Sequence, residues 1–305
     1  MLGSGFLGVI KPPGMSSSDV CTAWRRRTGQ KVGHLGTLDP GAAGVLVLAV
    51  GAATRLVPYV AGWDKEYVAE AWFGVQTDTD DRQGRVLDRR SAAGVSRTAV
   101  EELLPRFIGE ILQRPPRVAA VKVNGQPLYR RLRQGDEPAV PARPVRVRSL
   151  RLLEFVPGQV ARARLQVVCG AGTYVRSLVR DVGEALGVGG AVAFLVRTRV
   201  GPFAQDGCLL WEEAQQAGER GAWPDGAWLS PAAALAHLPT LRVSSREARQ
   251  VAHGQGTPLP PSLHNLPVGQ HLRIMEGERL VAVGQVTRSG VRVLRVVGGG
   301  EEHGG

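Results

Sequence analysis

Gly33-His34-Leu35-Gly36-Thr37-Leu38-Asp39-Pro40-Gly41-Ala42-Ala43-Gly44-Val45-Leu46 is the most informative stretch of the chain. It reads as a glycine-rich loop over 33–44 that passes into Val45 to Val50, an unbroken apolar run of the kind that forms a fully buried strand. A glycine-rich loop ahead of a buried strand is a phosphate-cradle pattern. The Gly-Lys-Ser/Thr ending of a P-loop and the spacing of a dinucleotide fingerprint are both missing, however. What the loop does carry is one carboxylate. Pro40 biases Asp39 towards extended backbone, and the flanking glycines allow a ligand to approach closely. On these residues alone the segment is either an Asp-Pro turn or a loop presenting a lone carboxylate in a cleft.

Working outward, Phe6 to Ile10 predicts a strand stopped by the turn Lys11-Pro12-Pro13-Gly14, and Ser16 to Asp19 offer caps for a helix running to about Thr28. The odd positions from Tyr67 to Val75 alternate as in a half-buried strand. Ser96 caps an amphipathic helix in which Val100, Leu103, Leu104 and Phe107 share a face. Strands are predicted at Ala161 to Val168 and Ala191 to Val200, with a helix from Tyr174 to Leu186 between them. The stretch 114–148 is rich in arginine and proline, and Val145-Arg146-Val147-Arg148 sets its arginines on one face of a strand. A helix-containing connector follows at 214–239, and then one helical stretch with several short valine-rich strands from Leu241 to Val297. Interspersed strands and helices imply an α+β (mixed α/β) fold. The expected organisation is a large domain over 1–235, a small β-barrel-like domain over 241–298 and a disordered tail over 299–305.

Composition narrows the partner. The 305 residues are 43% hydrophobic, enough for packed cores, and the net charge of +11 favours a polyanion. Of the 38 basic residues 34 are arginine, which reflects either genomic composition or the suitability of a planar guanidinium for phosphate and bases. Nucleic acid is the expected partner. Cys21, Cys169 and Cys208 are too few and too scattered for a disulfide framework or a zinc cluster. The longest apolar candidate, Ala42 to Ala53, is interrupted by glycine and too short to span a bilayer, and the first residues lack a basic leader; a cytoplasmic location is expected.

The loop motif closely resembles the catalytic motif of the TruB family of tRNA pseudouridine synthases. Other segments resemble family motifs in the family order. These are Lys11-Pro12 with Gly14, Ser16 and Ser17; Lys65-Glu66-Tyr67; Gly172-Thr173-Tyr174-Val175-Arg176; and Leu195 with Arg197. Each tripeptide alone is weak; the ordered set is specific. The resemblance implies a mostly antiparallel central sheet, a PUA-like C-terminal RNA-binding domain, and isomerisation of uridine 55 in the T loop of tRNA without cofactor or metal. It assigns Asp39 as the essential carboxylate, Arg176 as its partner, Tyr67 as the residue stacking on uracil, Tyr174 and Leu195 as pocket lining, and His34 as the ring beside the extruded base. Addition at C6, attack at C1′ and a glycal route all remain open, and each needs one carboxylate. A glycosidase would need two, and the neighbourhood of Asp39 in sequence offers no second.

The resemblance is looser in the RNA-binding regions. Arg114-Pro115-Pro116, Lys122-Val123-Asn124-Gly125, Tyr129 and Gly135 resemble the approach to an RNA-gripping insertion, while Val118-Ala119-Ala120 replaces the usual Tyr-Ser-Ala. Arg131-Leu132-Arg133 and Val196 also depart from the family pattern. The expected partner is the tRNA T stem-loop, bound by a monomer without an obligate protein subunit. The rival readings are a guide-RNA-dependent ribosomal RNA synthase subunit and a non-catalytic tRNA-folding protein.

Overall fold

Apolar patterning dictates many of the strands, and a computed structural model assembles those of the described residues into an 11-stranded sheet, a four-stranded sheet and two two-stranded ribbons. It describes residues 3–118, 122–123, 126–127, 140–217 and 226–297. The expected tail over 299–305 and much of the arginine-rich insertion lie outside the described residues.

The first half supplies β1 (Gly5–Lys11), α1 (Ser17–Thr28), β2 (Val32–His34), β3 (Ala43–Val50), β4 (Lys65–Phe73), β5 (Val75–Thr77), β6 (Val86–Arg89), α2 (Arg97–Leu103) and β7 (Gly109–Gln113). The second half of the large sheet brings β8 (Arg143–Val156), β9 (Ala161–Cys169), α3 (Val175–Ala185), β10 (Gly190–Val200) and β11 (Leu209–Leu210). Its strand order is β11-β1-β3-β10-β4-β9-β8-β7, with β2 paired to β3. Pairing is antiparallel along this path except at β1 with β11 and β3 with β10.

Two hydrophobic cores explain why β3 is apolar without interruption. Val45, Val47 and Ala49 enter one, and Leu46, Leu48 and Val50 enter the other. By contrast β4 alternates, sending Tyr67, Ala69, Ala71 and Phe73 into a third core. Helix α3 covers that face with Val175, Leu178, Val179 and Val182. It comes so near the start of β10 that a Cβ on Gly183 would lie 2.3 Å from the Gly189 carbonyl carbon, so only glycine fits. The helix therefore ends tight against the sheet, and its first turn is held beside the sheet centre.

Several boundaries differ from expectation. Val32–His34 pairs with β3 as a strand, so the free loop is shorter than 33–44. The strand expected to reach Val75 breaks at Gly74, where φ is +101°. The helix expected to carry Phe107 is α-helical only to Leu103, and Pro105 sits in a tighter turn over Leu104–Phe107. All three cysteines are free thiols, Cys208 only half-buried. Among the described residues no helix is long and apolar enough to cross a membrane.

The C-terminal part contains β12 (Thr240–Arg242), α4 (Ser245–Ala252), β13 (His271–Glu276), β14 (Arg279–Thr287) and β15 (Gly290–Val296). Where a small β-barrel-like domain was expected, the described strands form a four-stranded sheet in the order β12-β13-β14-β15, with no closed barrel among them. Other elements cover its faces. Ala248 and Val251 of α4 pack on one cluster, and Met275, Leu280 and Val283 join the core formed by Phe6, Val45 and Leu235.

Candidate active site

The sheet centre gathers residues that are far apart in sequence. Register places Arg197 of β10 opposite Tyr67 of β4 and Leu195 opposite Ala69. The parallel contact of β10 with β3 lasts only for Val196 with Ala43 and Arg197 with Gly44, and the Asp39 loop enters where those strands separate. A Cβ on Gly44 would lie 2.2 Å from the Arg197 carbonyl oxygen, and its φ is +108°; this position admits only glycine.

Buried cations hold the loop from beneath. Arg197, fully buried, donates from Nε to the Val45 carbonyl at 2.7 Å and from Nη2 to the Gly36 carbonyl at 3.1 Å. Lys11, equally buried, donates from Nζ to the carbonyls of Pro12, Met15 and Pro40 at 2.8, 2.7 and 3.3 Å. Burial pushes the Lys11 ammonium down to about 8, with the Asp39 charge acting in opposition. Ser17 adds a reciprocal pair, its hydroxyl accepting from the Leu38 N–H at 2.8 Å and donating to the Leu38 carbonyl at 3.1 Å. The carboxylate is thus presented by a loop whose backbone groups are individually tied down.

Asp39 meets Arg176 through two parallel contacts, Nε to Oδ2 at 2.9 Å and Nη2 to Oδ1 at 3.1 Å. The arginine side chain is 7% exposed and the aspartate 40%, so the guanidinium is scaffold and the carboxylate faces the open space. Arg176 is held in turn by the carbonyls of Thr79 and Val118, both at 2.9 Å. Its Nη1 also reaches Asp81 Oδ2 at 3.4 Å. Asp81 is a second carboxylate that the sequence did not reveal. Its Oδ1 already accepts from the Thr79 hydroxyl at 2.8 Å and the Gln83 N–H at 2.9 Å.

Asp39, Tyr67, Tyr174, Arg176 and Leu195 line one cleft of about 340 Å³. Pockets of roughly 300 to 1,000 Å³ hold small ligands, so this one has room for a single nucleoside. Tyr67 is 7% exposed, and burial raises its phenol above the usual value; Tyr174 is shifted the same way, also by burial. His34 is placed differently. It closes β2 ahead of the loop and does not line the cleft, although Leu35 and Gly36 beside it do. Burial, with the nearby Arg197 charge, lowers its imidazole pKa, and its Nδ1 is buried without a hydrogen-bond partner.

Lys11, Lys65 and Arg197 were visible in sequence only as parts of motifs. Lys65 lines the cleft, its ammonium pulled down chiefly by burial, and it donates to the Trp63 carbonyl at 3.0 Å. Nothing in the run Thr77-Asp78-Thr79-Asp80-Asp81 distinguishes Asp81 from a solvated turn residue before the fold brings Arg176 to it.

Residues 25–175 match the N-terminal domain model of TruB family pseudouridylate synthases, and residues 176–222 match the C-terminal domain model of tRNA pseudouridylate synthase B. The chain is 47% identical over 251 residues to tRNA pseudouridine synthase B of Symbiobacterium thermophilum, covering 82% of each. It is 44% identical over 267 residues to the Synechocystis protein of the same name, covering 87% of this chain and 88% of the relative. Among solved structures, an H/ACA RNP bound to a substrate RNA containing 2'-deoxyuridine superposes with a TM-score of 0.70 at 25% identity, over 97% of this chain and 85% of that one. A Cbf5-Nop10-Gar1 complex gives a TM-score of 0.70 at 27% identity, over 96% and 84%.

Proposed function

The chain belongs to the TruB family of pseudouridylate synthases, and on that premise we propose that it isomerises uridine 55 in the T loop of tRNA to pseudouridine, with Asp39 as the essential carboxylate. The enzyme is a tRNA pseudouridine synthase, an isomerase. The N1–C1′ bond breaks, the base turns, and a C5–C1′ bond forms; the C5 proton is lost and N1 gains one, so composition is unchanged. The observation that carries the reading is the half-exposed Asp39 carboxylate, gripped from behind by two bonds from a buried arginine, at the wall of a nucleoside-sized cleft.

Each surrounding side chain has a part suited to its environment. Arg176 keeps Asp39 oriented while leaving its outward face free for the nucleoside. Tyr67 stacks on the uracil, its phenol held in the neutral form by burial. Tyr174 and Leu195 close the sides of the cleft. The target base has to leave the loop stack to reach Asp39. His34, kept neutral by burial and set just outside the cleft, fills the space the base vacates.

The large unit, over 1–235, does the chemistry. Residues 241–298, which carry most of the four-stranded sheet, serve as a PUA-like RNA-binding unit, and the arginine-bearing strand β8, paired with β9 on one side and β7 on the other, leads out of the insertion that grips tRNA. The enzyme works in the cytoplasm as a monomer on tRNA alone. The solved complexes raise the rival reading of a guide-RNA-dependent subunit, but identity to the tRNA pseudouridine synthase B relatives, 47% and 44%, far exceeds the 25% and 27% to those complexes. The test is pseudouridine mapping of an unmodified tRNA transcript incubated with the pure chain. Conversion at one T-loop uridine is the expected result; conversion only after guide RNA and partner subunits are added would overturn it.

A further inference from the structure

Helix α3 is fastened to the stretch leading into the arginine-rich insertion at three points. One of them is a buried amide with no part in the chemistry above. Gln113, the last residue of β7, is 1% exposed. Its Oε1 accepts from the Tyr174 N–H at 2.8 Å, and its Nε2 donates to the Tyr174 carbonyl at 3.2 Å. Farther along, Arg180 Nη2 donates to the Arg114 carbonyl at 2.9 Å, and Arg176 Nη2 to the Val118 carbonyl at 2.9 Å.

The residue that Gln113 clasps is unusual. Tyr174 is the N-cap of α3, with φ −105° and ψ 113°, and no side chain caps the helix there. An unaided helix start leaves backbone N–H groups without partners, and their orientation is then set only by packing. Here both ends of one amide are committed to the backbone of a single residue. The ring of that residue lines the cleft, and two residues later comes Arg176. Burying an amide is costly unless it is hydrogen-bonded, and Gln113 uses its oxygen and one N–H on the junction from which two site residues project.

We propose that Gln113 is a positioning residue for the reaction: by clamping the Tyr174 backbone it sets the direction of the Tyr174 ring and the reach of Arg176 to Asp39. The inference rests on the function proposed above. It does not require Gln113 to touch the substrate. Misplacing reacting groups by about 1 Å costs on the order of a hundredfold in rate, while phosphate contacts elsewhere leave binding largely intact.

Two variants test it by single-turnover pseudouridine formation and tRNA binding, with wild type alongside. Gln113→Met keeps the length of the side chain and removes both hydrogen bonds. It is expected to slow the bound-state rate by about 10- to 100-fold with tRNA affinity within about threefold of wild type. Gln113→Glu accepts from the Tyr174 N–H but, ionised, has nothing to donate to the carbonyl. Protonated, it again offers one donor and one acceptor, and burial raises the pH at which that happens. Its rate relative to wild type is expected to climb as pH falls from about 8 to about 6. A Gln113→Met rate within twofold of wild type, or a Gln113→Glu ratio flat with pH, would overturn the inference. Should Gln113→Met fail to fold, the pH profile of Gln113→Glu decides alone. A wild-type chain that forms no pseudouridine would instead strike at the proposed function, and the inference would fall with it.

Discussion

Arg176 and Asp39 face each other as a planar fork and a planar carboxylate, Nε to Oδ2 at 2.9 Å and Nη2 to Oδ1 at 3.1 Å. The same guanidinium also serves the carbonyls of Thr79 and Val118. An ammonium has the charge but not the fork. Arg176→Lys is therefore expected to lower the single-turnover rate by about a hundredfold, because the carboxylate loses its fixed orientation and two carbonyls lose a donor. Single-turnover kinetics on a tRNA transcript give the answer. A rate near wild type would mean that the pair does not orient Asp39.

Lys11 links the loop to pH. Its folded-state pKa, lowered from 10.5 to about 8 by burial, means that between those values the unfolded chain holds a proton that the folded chain does not. Stability attributable to Lys11 therefore rises with pH across that window. Urea denaturation of wild type and Lys11→Met at several pH values is expected to show the wild-type advantage growing from about pH 8 towards about pH 10. Comparing the two proteins removes the contribution of the cysteines, which titrate in the same range. An advantage that shrinks with pH would contradict the assignment.

The loop and the strands around it were legible because their patterns are local, whereas the five cleft residues were legible only through the ordered set of motifs that resembles the family's. Gly44, the Asp39-Pro40 pair, the unbroken β3 and the alternating β4 each announce themselves within a few residues. Asp81 and Gln113 do not, because what makes them functional candidates is a partner 95 and 61 residues away. His34 was legible as part of the motif, but its position outside the cleft depends on Val32–His34 pairing with β3. The small sheet was legible as short strands and one helix. The covering of its faces by α4 and by the larger core was not legible, because no pattern of valines encodes which distant side chains pack there.

That shared core carries a stability prediction. Met275, Leu280 and Val283 are 4%, 5% and 0% exposed, packed with Phe6, Val45 and Leu235. Deleting the chain after residue 239 uncovers the apolar surface of Phe6, Val45 and Leu235 that these side chains shield, at about 25 cal/mol per Å² exposed, so what remains is expected to lose on the order of a few kcal/mol. A thermal melt of the shortened chain reads this as a clear fall in Tm. An unchanged Tm would mean that the two sheets are energetically independent.

Binding of tRNA is expected to be strongly electrostatic, given a net charge of +11. Raising monovalent salt from about 50 to about 200 mM is expected to weaken affinity at least about tenfold, with log K linear in log salt. Fluorescence titration with a labelled T stem-loop measures the slope. A flat response would mean that phosphate contacts are not the main source of affinity.

The most direct test of the central claim is single-turnover pseudouridine formation by Asp39→Asn at saturating enzyme, with tRNA affinity measured on the same preparation. The amide keeps the shape of the side chain and removes its basicity and nucleophilicity. The expected result is no pseudouridine above background, with affinity within about tenfold of wild type, a difference of about 1.4 kcal/mol. Substantial pseudouridine formation by Asp39→Asn would contradict the role assigned to Asp39.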